Sequence, residues 1–279
     1  MNNFEISPLS HAIGVELTGF QLHPKLSQSE VQTIQEIILE HQIVVFRDQQ
    51  LTVEQQIKTC GLFGPIEPHP LKDNTCKYKE ITYVSNVTDD GKAVGYPGPA
   101  FHIWHSDMCY EPVPPKFSFL FAEKVPTQGG NTLFANTQRA FADLKPNFQK
   151  QLLELNAVFG FSEKLMQRCK GLGYELVINP CDQRPDCIHP VIRTHPITKK
   201  QSIFVNWTHT DCILGMSESE SQSLLTQLFE HYTQDKYCYS HQYRENDLIV
   251  WDNSSTMHTG DGTVAIDKPR IMRRVVVQY

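Results

Sequence analysis

The sequence predicts a mainly β fold with flanking helices, a sandwich or barrel buttressed from outside. Many short β-branched and aromatic runs are separated by Gly, Pro, Asn and Asp, the punctuation of an all-β architecture. Helical periodicity is concentrated at the front of the chain and in one later insertion. At 279 residues, with no internal repeat or low-complexity tract, residues 1–279 are expected to form a single domain.

The elements follow in order. Residues 4 to 20 alternate as one or two short strands, punctuated by Gly14 and Gly19. Ser27-Gln-Ser-Glu30 is a capping box, in which the serine oxygen and the glutamate each satisfy a backbone N–H left free at the helix start. Val31, Ile34, Ile37 and Ile38 follow at helical spacing, so a helix should run to about His41. Ile43-Val-Val-Phe46 is a buried strand, and Thr52-Val-Glu-Gln55 caps a second helix ending near Phe63. The proline-rich segment from Gly64 to Pro70 is an extended turn, because proline keeps the preceding residue out of the helical region. Ile81 to Val84 is a strand, and 85 to 100 a loop. Phe117 to Phe121 alternates, and Ala140 to Leu155 should hold two short helices split at Pro146. Residues 162 to 187 lack a period, and a lid-like insertion is expected around 160–190. Val191–Thr194 and Ser202–Val205 form a hairpin, Ser217 and Glu220 cap a third helix, and strands at Leu248–Asn253 and Arg270–Val277 close the chain.

Composition removes several functions. The net charge of -6, with no Lys/Arg-rich block, argues against nucleic acid as a partner. No basic start leads into an apolar run, and nothing approaches the roughly 18 apolar residues of a membrane span. Eight cysteines without a Cys-x-x-Cys pair suit reduced thiols, so a cytoplasmic location without membrane partners is expected. Cys181, Cys187, His189 and His195 match no usual structural zinc spacing.

The chemistry gathers between His102 and Thr132. His105 and Asp107 lie two apart on an extended segment, share a face, and can grip one metal ion. A third ligand, an imidazole, would complete the two-His, one-carboxylate face of non-haem Fe(II) oxygenases. The pair alone is ambiguous, because His209-Thr-Asp211 repeats it, and His258, His231 and His241 could each supply the imidazole. Context favours the first pair. The Gly129-Gly130 turn sets Thr132 on the following strand, with a hydroxyl for a carboxylate. Twelve residues beyond His258, Arg270 heads an apolar strand, where its guanidinium could hold the far carboxylate of a dicarboxylic cosubstrate by a forked contact.

Taken together, Trp104-His105-Ser-Asp107, Pro114-Pro115, Pro126-Thr-Gln-Gly129-Gly130-Asn-Thr132, Trp251-Asp-Asn253, His258 and Arg270-Ile-Met-Arg-Arg274 resemble the TauD/TfdA family of Fe(II)- and 2-oxoglutarate-dependent dioxygenases. Val44-Val-Phe-Arg-Asp-Gln49, Phe63-Gly64 and His69-Pro70 extend the likeness forward, and Arg193-Thr-His-Pro196 with Phe204-Val-Asn206 carries it through the middle. The resemblance implies a double-stranded β-helix, or jelly roll. It implies that His105, Asp107 and His258 bind Fe(II), that Thr132 and Arg270 hold the C5 carboxylate of 2-oxoglutarate, and that O2 is the oxidant. Arg274 and His69 would then meet a small anionic substrate, a carboxylate or sulfonate, with succinate and CO2 released. Arg270 and Arg274 share a strand face, and Arg273 should point away. Trp104, Tyr110, Phe204 and Trp251 are candidates to favour an aromatic body. His209 and Asp211 fall outside the matched motif, as a loop pair near the lid. Phe101 stands where the family's taurine enzyme has an asparagine, which argues against taurine itself. Oxidative desaturation or decarboxylation of an amino-acid-derived isonitrile intermediate is the alternative outcome of the same iron chemistry. A non-catalytic jelly-roll binding protein and a zinc hydrolase are the rivals from other classes. The sequence leaves a homo-oligomer open.

Overall fold

The computed structural model describes residues 4–66, 77–89, 92–93, 103–161, 163–171, 184–263 and 268–279. His69, Phe101 and His102 lie outside the described residues, as do most of the 85–100 loop and residues 172–183 of the 160–190 insertion.

Two sheets face one another. The larger has seven strands in the order Glu5–Pro8, Val15–Thr18, Ile43–Phe46, Leu248–Asp252, Phe117–Lys124, Ile271–Val277 and Thr82–Ser85. Val15–Thr18 and Ile43–Phe46 run parallel; the other described pairings are antiparallel. Period-two alternation sorts its side chains. Phe117, Phe119, Phe121, Leu248, Val250, Val275 and Val277 point outward against Val31, Ile34, Ile37 and Ile38 of the Gln28–His41 helix. Leu120, Ala122, Ile249, Trp251 and Met272 point inward, where they meet Phe134 and Tyr243 from the opposite side. That opposite sheet orders Cys238–His241, Thr132–Asn136 and Thr256–Gly260. Strands Cys187–Pro190, Asn156–Phe159 and Thr210–Ile213 form a further sheet. Beneath the Glu218–Tyr232 helix lies a separate core. Mainly β with flanking helices is what the chain forms, and two facing sheets with helices outside are in keeping with a jelly roll.

The helix signals read from sequence mark real boundaries. Ser27, Thr52 and Ser217 each cap a helix, with Glu30, Gln55 and Glu220 closing the reciprocal bond. Pro146 opens Pro146–Leu153, a position where its missing N–H costs nothing. The preceding helix begins earlier than expected, at Thr137, because Asn136 accepts from the Arg139 N–H and caps it. The second helix stops at Cys60, and i→i+3 bonds from Leu62 and Phe63 tighten the chain instead. Within the expected lid, Glu163–Gly171 is helical. Its Leu165 and Cys169 pack on Ile103, beside the site.

Candidate metal centre

A backbone bridge aligns the site. His105 and His258 pair in antiparallel fashion, exchanging N–H···O bonds of 3.0 and 2.8 Å. Their imidazoles therefore lie side by side, with centroids 4.2 Å apart. Asp107, two residues along, brings its carboxylate to the same place. One ligand atom from each of His105, Asp107 and His258 lies within 4.8 Å of the others. Among the described residues, the second pair, His209 and Asp211, joins no such group.

The protonation states suit a cation. The His105 Nδ1 lies 2.9 Å from the Ile103 carbonyl, which assigns its proton to Nδ1 and leaves Nε2 as a lone-pair donor. Burial, together with the neighbouring His105, pushes His258 down to about 3, and burial also lowers His105. Burial opposes the charge on Asp107. Arg274 and the two histidines outweigh it and, with a Ser118 hydrogen bond, hold the carboxyl well below its ordinary value. Two neutral imidazoles and one carboxylate form a donor set that fits Fe(II).

Asp107 is held from both sides. Ser118 Oγ donates to Oδ2 at 2.6 Å, and Arg274 Nη1 donates to Oδ1 at 2.5 Å. Asn253 Nδ2 donates to Ser118 at 3.0 Å, while Asn253 Oδ1 accepts from Trp251 Nε1 at 3.0 Å. Asn253 O accepts from Ser106 Oγ at 2.8 Å, tying the same residue to the metal-ligand segment. Ser118 occupies an inward position between Phe117 and Phe119, which face out. A lone serine on the inner face of an aromatic strand was the signal available in the sequence for it; Asn253 gave none beyond its motif.

A second polar group lies at the mouth of the Thr132–Asn136 strand. Thr132 and Arg270 are both buried, and Tyr243 joins them. Its hydroxyl donates to Thr132 Oγ1 at 2.8 Å, and the Arg270 guanidinium carbon lies 5.4 Å from its ring centroid. Arg270 Nε donates to Gly130 O at 3.0 Å. Among the described residues no carboxylate forms an ion pair with Arg270, although it is a buried cation. The turn that presents Gly130 needs glycine: Gly129 has φ +74°, and a Cβ there would come within 2.6 Å of Thr263 Oγ1. Arg273 lies on the opposite face of its strand from Arg274. It donates to Leu51 O at 2.8 Å and lies 4.4 Å over the Phe121 ring.

Asp211 belongs to the Thr210–Ile213 strand, whereas His209 lies in the turn at 207–209 beside Phe161 of the insertion, as expected, and is buried. Its ring packs 4.7 Å from Tyr110 and 5.1 Å from Phe161, and Tyr110 and Phe161 lie 4.5 Å apart. Burial, together with the neighbouring His105, pushes it down to about 3, so it is neutral. Met108 and Val276 complete this apolar wall beside the triad. Of the other aromatic candidates, Trp251 lies 4.8 Å from His258, whereas Trp104 and Phe204 belong to the core under the Glu218–Tyr232 helix. His195 has its Nε2 3.1 Å from Asp252 Oδ2 and accepts two backbone N–H bonds at Nδ1, so it is engaged away from Cys187 and His189.

A buried face of two neutral histidines and one carboxylate, inside facing sheets, defines a non-haem iron class. The family described as taurine catabolism dioxygenase TauD, TfdA family matches this chain over residues 5–276. The chain is 30% identical over 271 residues to the alpha-ketoglutarate-dependent 2,4-dichlorophenoxyacetate dioxygenase of Cupriavidus pinatubonensis, covering 91% of each chain. It is also 30% identical to the alkylsulfatase of Acinetobacter baylyi, over 98% of this chain and 84% of that one. The crystal structure of AAD-2 with Mn(II) and N-oxalylglycine superposes with a TM-score of 0.82 at 28% identity, covering 99% of this chain and 97% of that one. The protein belongs to the TauD/TfdA family. It is a 2-oxoglutarate-dependent dioxygenase, an oxidoreductase that uses Fe(II), 2-oxoglutarate and O2. The binding-protein and zinc-hydrolase alternatives fall with that assignment.

Proposed function

We propose that this enzyme oxidises a small organic anion, a carboxylate or a sulfonate, with release of succinate and CO2. His105, Asp107 and His258 hold the iron, Thr132 and Arg270 hold the C5 carboxylate of 2-oxoglutarate, and Arg274 and His69 meet the substrate. The observation that carries the reading is Arg270, a buried cation with no carboxylate in ion-pair contact among the described residues, just before the strand on which Arg274 touches Asp107. A desolvated guanidinium without a counter-charge is costly, and a dicarboxylic oxoacid supplies one. When bound, Fe(II) supplies the activation of O2 for oxidising a C–H bond.

The remaining work belongs to this chain's own residues. Ser118 fixes the Asp107 carboxylate, Arg274 shares its other oxygen, and the Ile103 carbonyl fixes the His105 tautomer. Tyr110, Phe161, Met108 and Val276 exclude water from one side of the triad, and neutral His209 adds a polar edge within that wall. The 160–190 insertion acts as a lid through Phe161 and the Glu163–Gly171 helix. The named substrates of the relatives, an aryloxyacetate and an alkyl sulfate, share an anionic head on an apolar body. Such a head suits Arg274, and such a body suits the Tyr110–Phe161 wall.

Succinate formation from 2-oxoglutarate, measured with panels of aryloxyalkanoates, alkyl sulfates and sulfonates beside their neutral esters or alcohols, tests this. Turnover should be coupled to an anion and lost with its neutral analogue. Equal turnover of both would overturn the assignment of an anionic substrate.

A further inference from the structure

We propose that Tyr243 is a third member of the cosubstrate pocket, its hydroxyl aiming the Thr132 proton at the distal carboxylate and its ring seating the Arg270 guanidinium. The proposal rests on the reading of Thr132 and Arg270 as the 2-oxoglutarate anchor, and deepens it.

Tyr243 follows the Cys238–His241 strand and lies among the residues buried between the sheets. His241 meets its ring edge-on, with centroids 4.6 Å apart and planes at 87°, which restrains the ring from behind. A threonine hydroxyl has one proton and two lone pairs. Because Tyr243 donates to Thr132 Oγ1 at 2.8 Å, one lone pair is taken and the threonine proton must point elsewhere. Among the described residues no acceptor takes that proton. It is therefore available to an anion arriving beside Arg270, and a donated hydrogen bond strengthens the donor next in line. Burial pushes the Tyr243 phenol up to about 12, so it keeps the proton this relay requires.

The ring has a separate task. It lies 5.4 Å from the Arg270 guanidinium carbon, a cation–π distance, while Gly130 O accepts from Nε. These two contacts fix the guanidinium plane before the cosubstrate binds. What they leave for a carboxylate is the outer edge of the fork.

The test uses the full chain loaded with Mn(II) and compares two probes by calorimetry. N-oxalylglycine and oxalate both chelate through an oxalyl head, but only the first carries a distal carboxylate. Tyr243→Phe should weaken N-oxalylglycine about tenfold, the upper end of what one neutral hydrogen bond is worth, and leave oxalate unchanged within about twofold. In a Thr132→Val background the same change should add nothing further, because its effect passes through that hydroxyl. Equal weakening of both probes, no weakening of either, or full additivity with Thr132→Val would overturn the proposal. Arg270→Met separates the two levels of the argument. If it discriminates between the probes and Tyr243→Phe does not, only the role of Tyr243 fails; if neither discriminates, the pocket assignment fails with it. Should Tyr243→Phe not fold, 3,5-difluorotyrosine at 243 retains the packing with a more acidic phenol. Affinity for N-oxalylglycine should then fall as that phenol ionises, while the native protein stays flat over the same range; a flat response from both overturns the relay.

Discussion

Ser118→Ala offers a direct test of how Asp107 is held. The substitution removes a fully buried hydroxyl that donates to Asp107 Oδ2 at 2.6 Å and accepts from Asn253 Nδ2 at 3.0 Å. A hydrogen bond to a charged group is worth about 1.5–3 kcal/mol. The orphaned Asn253 amide adds a desolvation cost of similar order. Groups that orient a metal ligand typically change metal affinity by about 10–100-fold when lost, equivalent to about 1.4–2.7 kcal/mol, which matches the hydrogen bond alone; the desolvation of Asn253 falls on folding stability. We expect Mn(II) or Co(II) to bind about 10–100-fold more weakly to Ser118→Ala in calorimetric titrations. The unfolding midpoint should fall by about 4–8 °C in a protein of this size. Asn253→Leu should have a smaller effect on metal affinity, because Ser118 can still donate to the carboxylate without it. A normally folded Ser118→Ala protein with unchanged metal affinity would refute the claim that this relay positions Asp107.

Two further outcomes follow from the same geometry. Arg274→Met should tighten Mn(II) binding about tenfold by removing a cation from Asp107 Oδ1, while substrate turnover falls and N-oxalylglycine affinity holds; weaker metal binding would count against the shared-carboxylate reading. Acid should destabilise the metal-free protein, because the folded pKa values of His209 and His258, about 3, lie below the unfolded value near 6.5. The unfolded chain therefore binds more protons as pH falls from 6.5 towards 3, and stability is lost in that window, about 2 kcal/mol per buried histidine at pH 5. Asp107, depressed instead, keeps its contribution until well below that pH and cannot offset the loss. Urea unfolding at pH 7.5 and 5.0 measures the difference; equal stabilities would remove the buried neutral histidines from the argument.

What could be read from the sequence was whatever is encoded locally or by period. Three capping boxes located three helix starts, since the bonds involved span three residues. Alternation put Phe117, Phe119 and Phe121 on one face and left Ser118 and Leu120 on the other. The triad was legible because a two-residue spacing on extended chain fixes relative direction, although selecting His258 over His231 and His241 needed the resemblance. Each of those alternatives has other work: His231 Nε2 lies 2.7 Å from the Ala140 carbonyl, and His241 braces Tyr243. Contacts bridging distant segments stayed hidden. Tyr243 meets Thr132 across 111 positions, and Asn253 meets Ser118 across 135. Nothing local distinguishes such residues from ordinary core. The burial of His209 was hidden for the same reason, since only the tertiary fold closes its loop against Tyr110 and Phe161.

Charge balance ties the two arginines into one device. Asp107 faces two neutral histidines and one guanidinium, so the site as folded is close to neutral. A divalent cation on the same carboxylate places a like charge beside Arg274, and at a few ångströms that repulsion is on the order of kcal/mol even at an effective dielectric of 20. Arg274 is relieved by an anion. Arg270 already lacks a carboxylate partner among the described residues, and an oxoacid with a distal carboxylate meets that need first. On the proposed reading of the site, each arginine would be an incomplete ion pair at a different stage of loading: Arg270 before the cosubstrate arrives, Arg274 once a metal shares Asp107. They lie four positions apart, Arg270 just before the Ile271–Val277 strand and Arg274 within it, with Arg273 turned outward to Leu51 and Phe121. Within the strand, alternation sends Arg273 and Arg274 to opposite faces, while Arg270 is set by the segment that leads into it, where the register shifts between Ile271 and Met272.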